Sequence, residues 1–126
     1  MKYGTREFGE ASCKVLKPIA LPMHLHNDVR EITKVFVPKE TRGQKLATKL
    51  LEQVCREADK FKMILMIHVH PFDDEPMDIK QLANWYGSTF NFNQIQEDPM
   101  LMARMPAILV RTQQKVVTNT IQGAFE

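Results

Sequence analysis

The stretch Arg42-Gly43-Gln44-Lys45-Leu46-Ala47-Thr48 combines residue types and a position that could do chemistry. It follows the apolar run Val35-Phe36-Val37-Pro38 and opens a segment of helical periodicity. Backbone N–H groups at a helix start have no partner within the helix, and the helix dipole places partial positive charge there. Small residues, here Gly43 and Ala47, let a phosphate come close to those donors, and Arg42 and Lys45 add formal charge. A phosphate at this point would meet donors and cations together. The same residues would equally serve an ordinary strand–turn–helix connection with solvated basic side chains.

Two other groups carry reactive side chains. The histidines form alternating pairs, His24/His26 and His68/His70. On strands each pair would share a face. No Cys or carboxylate cluster completes a zinc site in the sequence, so no metal is expected. His70 near a sheet edge is a candidate acid–base group, and Asp73, Asp74 and Glu75 form an acidic rim next to it. Such a run is ordinarily a solvated turn, but beside a cleft it would attract an amine. Cys13 and Cys55 form no metal motif, and nothing places the chain where a disulfide would persist.

These residues need a scaffold. Ala11 to Leu16 reads as a short strand ended by Pro18, and Ile19 to Asn27 as strand or loop. Glu31 to Val37 is rich in β-branched and aromatic residues, as a strand is, and Lys39 to Gly43 is turn material. Leu46, Leu50, Leu51, Val54, Cys55 and Ala58 then recur at helical spacing. Met63 to Val69 is almost continuously apolar, which suits a strand covered on both faces. Pro71 to Pro76 is an acidic turn. Asp78 with Gln81 predicts a capping box for a second helix, broken at Gly87. Phe90 to Gln96 and Met100 to Met105 are the last strands, separated by a turn at Asp98-Pro99. The order implies a parallel strand–helix–strand unit with a right-handed crossover.

The chain has 126 residues, 44% hydrophobic and 25% charged, which fits one globular domain. Its net charge of +2 and lack of interleaved basic and aromatic residues argue against nucleic acid. The longest apolar run falls far short of the ~20 residues that span a bilayer, and no signal peptide is visible. A cytoplasmic protein with no membrane partner is the expectation.

The stretch from Arg42 to Ala47 resembles the acyl-coenzyme A signature of the GNAT superfamily of N-acetyltransferases. That signature runs Gln or Arg, two variable residues, Gly, one variable residue, then Gly or Ala. Arg42 and Ala47 match its ends, whereas Lys45 stands where Gly is usual and is expected to take helical angles. A second similarity lies at Asn84-Trp85-Tyr86-Gly87-Ser88-Thr89-Phe90-Asn91-Phe92, where the family has an aromatic-Tyr pair, a turn and Gly-Phe. Asn91 replaces that Gly, and Asn tolerates a left-handed backbone well. The resemblance covers about Glu31 to Arg104.

It implies an α/β fold, a mixed and splayed sheet with helices on both faces. The expected domain is 1–106, with 107–126 as a tail or extra strand. It implies that acetyl-coenzyme A is the co-substrate. Main-chain groups of Val35, Phe36 and Val37 would bond its pantetheine arm, and Arg42, Gly43, Gln44, Lys45, Leu46, Ala47 and Thr48 would hold its pyrophosphate. Tyr86 would protonate the departing thiolate, and Glu31 would deprotonate the attacking amine. For each a plainer role is open: Tyr86 and Trp85 as core residues, and Glu31 as a surface carboxylate paired with Arg30 or Lys34. The implied activity is acetyl transfer to a primary amine, on a small molecule or a protein, by direct attack. A non-catalytic acyl-coenzyme A-binding or protein-interaction module is the alternative. Family members have one strand and two helices before the central strands, but only thirty residues precede Glu31 here. The acceptor side is therefore either open or completed by a second subunit in a homodimer.

Overall fold

The computed structural model describes residues 1–71 and 77–107. Its elements are β1 (Gly4–Phe8), β2 (Ala11–Leu16), β3 (Val29–Phe36), α1 (Leu46–Lys60), β4 (Ile64–His68), α2 (Ile79–Phe90), β5 (Asn93–Gln96) and β6 (Leu101–Arg104). The strands form one sheet in the order β1-β2-β3-β4-β6-β5. β3 and β4 are parallel, and the other four pairings are antiparallel. Parallel neighbours need a crossover, and α1 supplies it as the periodicity predicted.

The functional region originates in how β3 and β4 part. They pair from Val29 opposite Ile64 to Ile32 opposite Ile67. β3 then continues to Phe36, while β4 stays paired with β6 along Leu65 to His68. Between Thr33 and Phe36, β3 takes three steps against two on β2, which is a bulge, and Lys34 there has φ 57°. A bulge bends its strand and strengthens the local twist. Among the described residues no strand pairs with the edge of β3 toward β4 from Thr33 onward, and a gap opens.

Side-chain alternation divides the core into two. On one face Ile32, Leu65, Ile67 and Met102 pack with Leu50, Leu51 and Val54 of α1 and with Leu82, Tyr86 and Phe90 of α2. On the other, Val29, Ile64, Met66, Leu101 and Ala103 are covered by Leu21 and Leu25. The expectation of helices on both faces is corrected here: the two described α-helices share one face. The segment before β3 makes the β1–β2 hairpin and a loop with one 3-10 turn, Met23–Leu25, and that loop covers the second face.

Local chemistry explains most boundaries. The capping box predicted for α2 is present: Asp78 Oδ1 accepts from the Gln81 N–H at 2.8 Å, and Gln81 Oε1 accepts from the Asp78 N–H at 3.0 Å. Gly87 does not end this helix as expected. The helix runs on to Phe90, and Asn91 ends it with φ 64°. A Cβ at Gly87 would meet the Phe92 carbonyl at 3.4 Å, an ordinary contact. β1 was not expected, because its residues are polar. Pairing with β2 and the Arg6 fork on Glu57 of α1, both bonds 2.8 Å, hold it. Residues Asp73 to Glu75 and the tail beyond Ala107 lie outside the described residues.

Arg104 ties the end of the sheet to both helices. Its Nε donates to the Phe90 carbonyl at 2.9 Å, and its two Nη groups donate to Asp59 at 2.8 and 3.2 Å. Asp59 also accepts from the Ala107 N–H at 2.9 Å. Burial pushes the Asp59 carboxyl up, but the Arg104 and Ala107 bonds outweigh it and hold the group below its ordinary value. Arg104→Ala should cost about 2–4 kcal/mol in urea unfolding, since it leaves a carboxylate and a buried carbonyl unpaired. Asp59's folded pKa is depressed, so its stabilisation is present above the unfolded value near ~3.9 and is lost as pH falls through the folded one. The variant should lose that part of the acid dependence.

Candidate active site

A cavity of about 710 Å³ fills the gap between the parted strands. The main chain of β3 from Ile32 to Val37 forms one side, and the turn and first residues of α1 form the next. His68, His70, Met77 and the α2 residues Leu82, Trp85 and Tyr86 close it. Among the residues singled out from the sequence, Val35, Phe36, Val37, Arg42, Gly43, Lys45, Leu46, Ala47, Thr48 and Tyr86 all line this cavity. Gln44 and Glu31 do not. Trp85, expected in the core, is half-buried and forms part of the wall. Thr33, Lys34, Met77 and Leu82 join the lining as well, and their place follows from the bulge and the α2 packing, which have no local sequence signal.

The start of α1 has the character of an anion site. No side chain caps it, so the first-turn N–H groups have no side-chain acceptor. Gly43 has φ 90° and Lys45 φ 59°, ψ 29°. A left-handed residue running into right-handed helix makes successive N–H groups converge in a concavity that suits an anion. The expected helical angles at Lys45 are therefore corrected: the residue is left-handed, which explains why glycine is favoured at this place. Held so, a lysine costs about 1–2 kcal/mol relative to glycine. Lys45→Gly should raise the stability of the ligand-free protein by about 0.5–1 kcal/mol, the remainder being offset by a freer unfolded chain. Guanidinium unfolding would measure it. Arg42 is fixed by donation from Nε to the Val37 carbonyl at 3.0 Å, which draws the guanidinium against the end of β3.

Tyr86 is 4% exposed and sits where α2 faces the cavity. Its ring lies 5.1 Å from that of Trp85 and 5.8 Å from that of Phe92. These contacts restrict the ring, so the hydroxyl has a defined direction. Two cysteines are free and buried, and burial pushes both thiols up to about 11. Neither lines the cavity. A thiol this reluctant to ionise is a poor nucleophile.

Glu31 is in the strand pair just before the strands part. It lies opposite Met66, and alternation puts it on the face of Val29, away from the helices. His68, two residues after Met66, projects to that same face. Burial raises the Glu31 carboxyl above its ordinary value, and His68 partly opposes the shift. The pairing considered with Arg30 is not what the geometry gives. Arg30 donates to the carbonyls of Met1, His26 and Val29 and stacks 4.7 Å over the Tyr3 ring.

The cavity, an unpaired strand edge, an uncapped helix start and two adjacent cations fit a long ligand with a phosphate-bearing end. The family model for the GNAT acetyltransferase family matches residues 9–77, and the chain belongs to that family. No curated protein matches the sequence. Among solved structures, that of the anti-CRISPR protein AcrVA5 superposes with a TM-score of 0.62 at 19% identity, covering 82% of this chain and 99% of that one. At that identity the likeness speaks for the fold. Among the described residues no helix is long and apolar enough to cross a membrane.

Proposed function

We propose that this protein transfers an acetyl group from acetyl-coenzyme A to a primary amine by direct attack. One observation carries the reading: the parting of β3 and β4 after Ile32 and Ile67 creates a cavity lined by both sequence motifs. The main-chain edge of Thr33 to Val37 would bond the pantetheine amides as a neighbouring strand would. The start of α1, with Arg42 and Lys45, would take the pyrophosphate. An alkylammonium has no lone pair, so a base must remove its proton before attack, and Glu31 would be that base. When the carbonyl re-forms, the C–S bond breaks and its electron pair leaves on sulfur. Tyr86 would give that sulfur its proton, and the second proton that nitrogen loses as the amide forms would restore the tyrosine hydroxyl. With both thiols buried and outside the cavity, no acyl-enzyme is needed. The acceptor is open in this reading: a small molecule or a protein, at a site exposed or completed by a second copy of the chain.

Saturating acetyl-coenzyme A should raise the melting temperature, because a ligand at one hundred times its Kd adds about 2.7 kcal/mol to the folded state. Melts that do not move would overturn the assignment. Binding without thiol release to any primary amine would favour a non-catalytic coenzyme-binding module instead.

A further inference from the structure

We propose that His68 is a second acid–base group of this site, sharing with Glu31 the proton taken from the acceptor amine. The proposal rests on the acetyl-transfer reading above. Its basis is placement. Glu31 and His68 stand on adjacent parallel strands, on the same face, two residues apart in register, at the point where pairing ends. His68 is exposed and lines the cavity, whereas Glu31 is half-buried and does not.

Their surroundings separate two tasks. Opposite Glu31 on β2 is Leu16, and opposite His68 on β6 is Leu101, so neither neighbouring strand brings a charge directly across. On β3 itself the Arg30 guanidinium is taken up by three carbonyls. The other titratable ring facing His68 is His70, with centroids 5.9 Å apart. A half-buried carboxylate is well suited to accept a proton but poorly placed to release it to water. An exposed imidazole on the cavity wall can do both, since it faces the cleft and water alike. In the forward direction the amine's N–H bond breaks, its electron pair stays on nitrogen for attack on the thioester carbon, and the proton moves to the Glu31–His68 pair. His68 then returns that proton to solvent. Because both groups project away from the helices, the amine reaches the thioester from the face opposite α1 and α2. The coenzyme's pyrophosphate end stays on the helix side.

The test follows thiol release from acetyl-coenzyme A, with ethanolamine at high concentration as the acceptor probe, across pH 5.5 to 9. Glu31→Gln, His68→Gln and the double variant are compared with wild type. Coenzyme affinity by calorimetry should stay within about twofold in all. Each single variant should lose tenfold or more in rate at pH 7, and the double variant should fall little below the slower single one, as expected of groups acting as a unit. Loss in His68→Gln should shrink as pH rises and more of the amine is already neutral. A fold in His68→Asn that binds coenzyme equally well controls for structural damage. Full activity in His68→Gln, an unaltered acid limb, or losses that simply multiply would each overturn the pair while leaving acetyl transfer intact. Coenzyme binding with no wild-type thiol release at any pH would instead overturn the acetyl-transfer reading itself, and the pair with it.

Discussion

Replacing Tyr86 with phenylalanine should lower acetyl transfer at least tenfold while leaving the fold and coenzyme affinity nearly unchanged. Attack on the thioester builds negative charge on oxygen and then on sulfur, and a donor near the sulfur lowers the second barrier. A positioned general acid contributes about 10²–10⁴-fold to rate. The substitution keeps the ring, so the contacts with Trp85 and Phe92 survive. Loss of the hydroxyl alone should cost at most about 1 kcal/mol of stability. The measurement is kcat beside KM for acetyl-coenzyme A and a urea midpoint. A tenfold fall in kcat with KM held identifies a role in the chemical step. Undiminished kcat would remove Tyr86 from the mechanism, with a histidine or water as the next candidate donor.

Arg42→Glu should weaken acetyl-coenzyme A at least tenfold, which is about 1.4 kcal/mol or more. The change replaces attraction by repulsion beside the pyrophosphate. At 4 Å each such interaction ranges from about 1 kcal/mol in water to about 4 kcal/mol near a protein surface. It also removes the bond from Nε to the Val37 carbonyl, which holds the turn against β3. Arg42→Gln separates the two contributions, because it loses the charge without adding an opposite one. Calorimetry at two ionic strengths should show the wild-type affinity falling with salt and the Glu variant responding less. Equal affinity in wild type and Arg42→Glu would place the pyrophosphate elsewhere.

The sequence by itself determined the elements that depend on nearest neighbours. The 3.6-residue period from Leu46 to Ala58 is a local property, and α1 covers it. So is the Asp78–Gln81 capping box, and so is the tolerance of Asn91 for a left-handed turn. The helix start after Arg42 was legible for the same reason, as it needs only its own first residues to expose N–H groups. Tertiary structure decided what depends on residues far apart in the chain. Polar β1 is a strand because β2 pairs with it and Glu57, fifty-one positions from Arg6, anchors it. Gly87 stays within α2, which runs on to Phe90, although glycine alone reads as a breaker. The two described helices lie on one face, and Leu21 and Leu25 of the loop before β3 cover the other. The gap itself arises from a bulge at Lys34 and from β4 pairing onward with β6 while β3 continues alone. Only that divergence brings Arg42, Tyr86 and the β3 edge around one cavity and sets Glu31 beside His68. Periodicity records which residues are buried along one element. It holds no record of which strand ends first, and at this site that difference makes the space for a substrate.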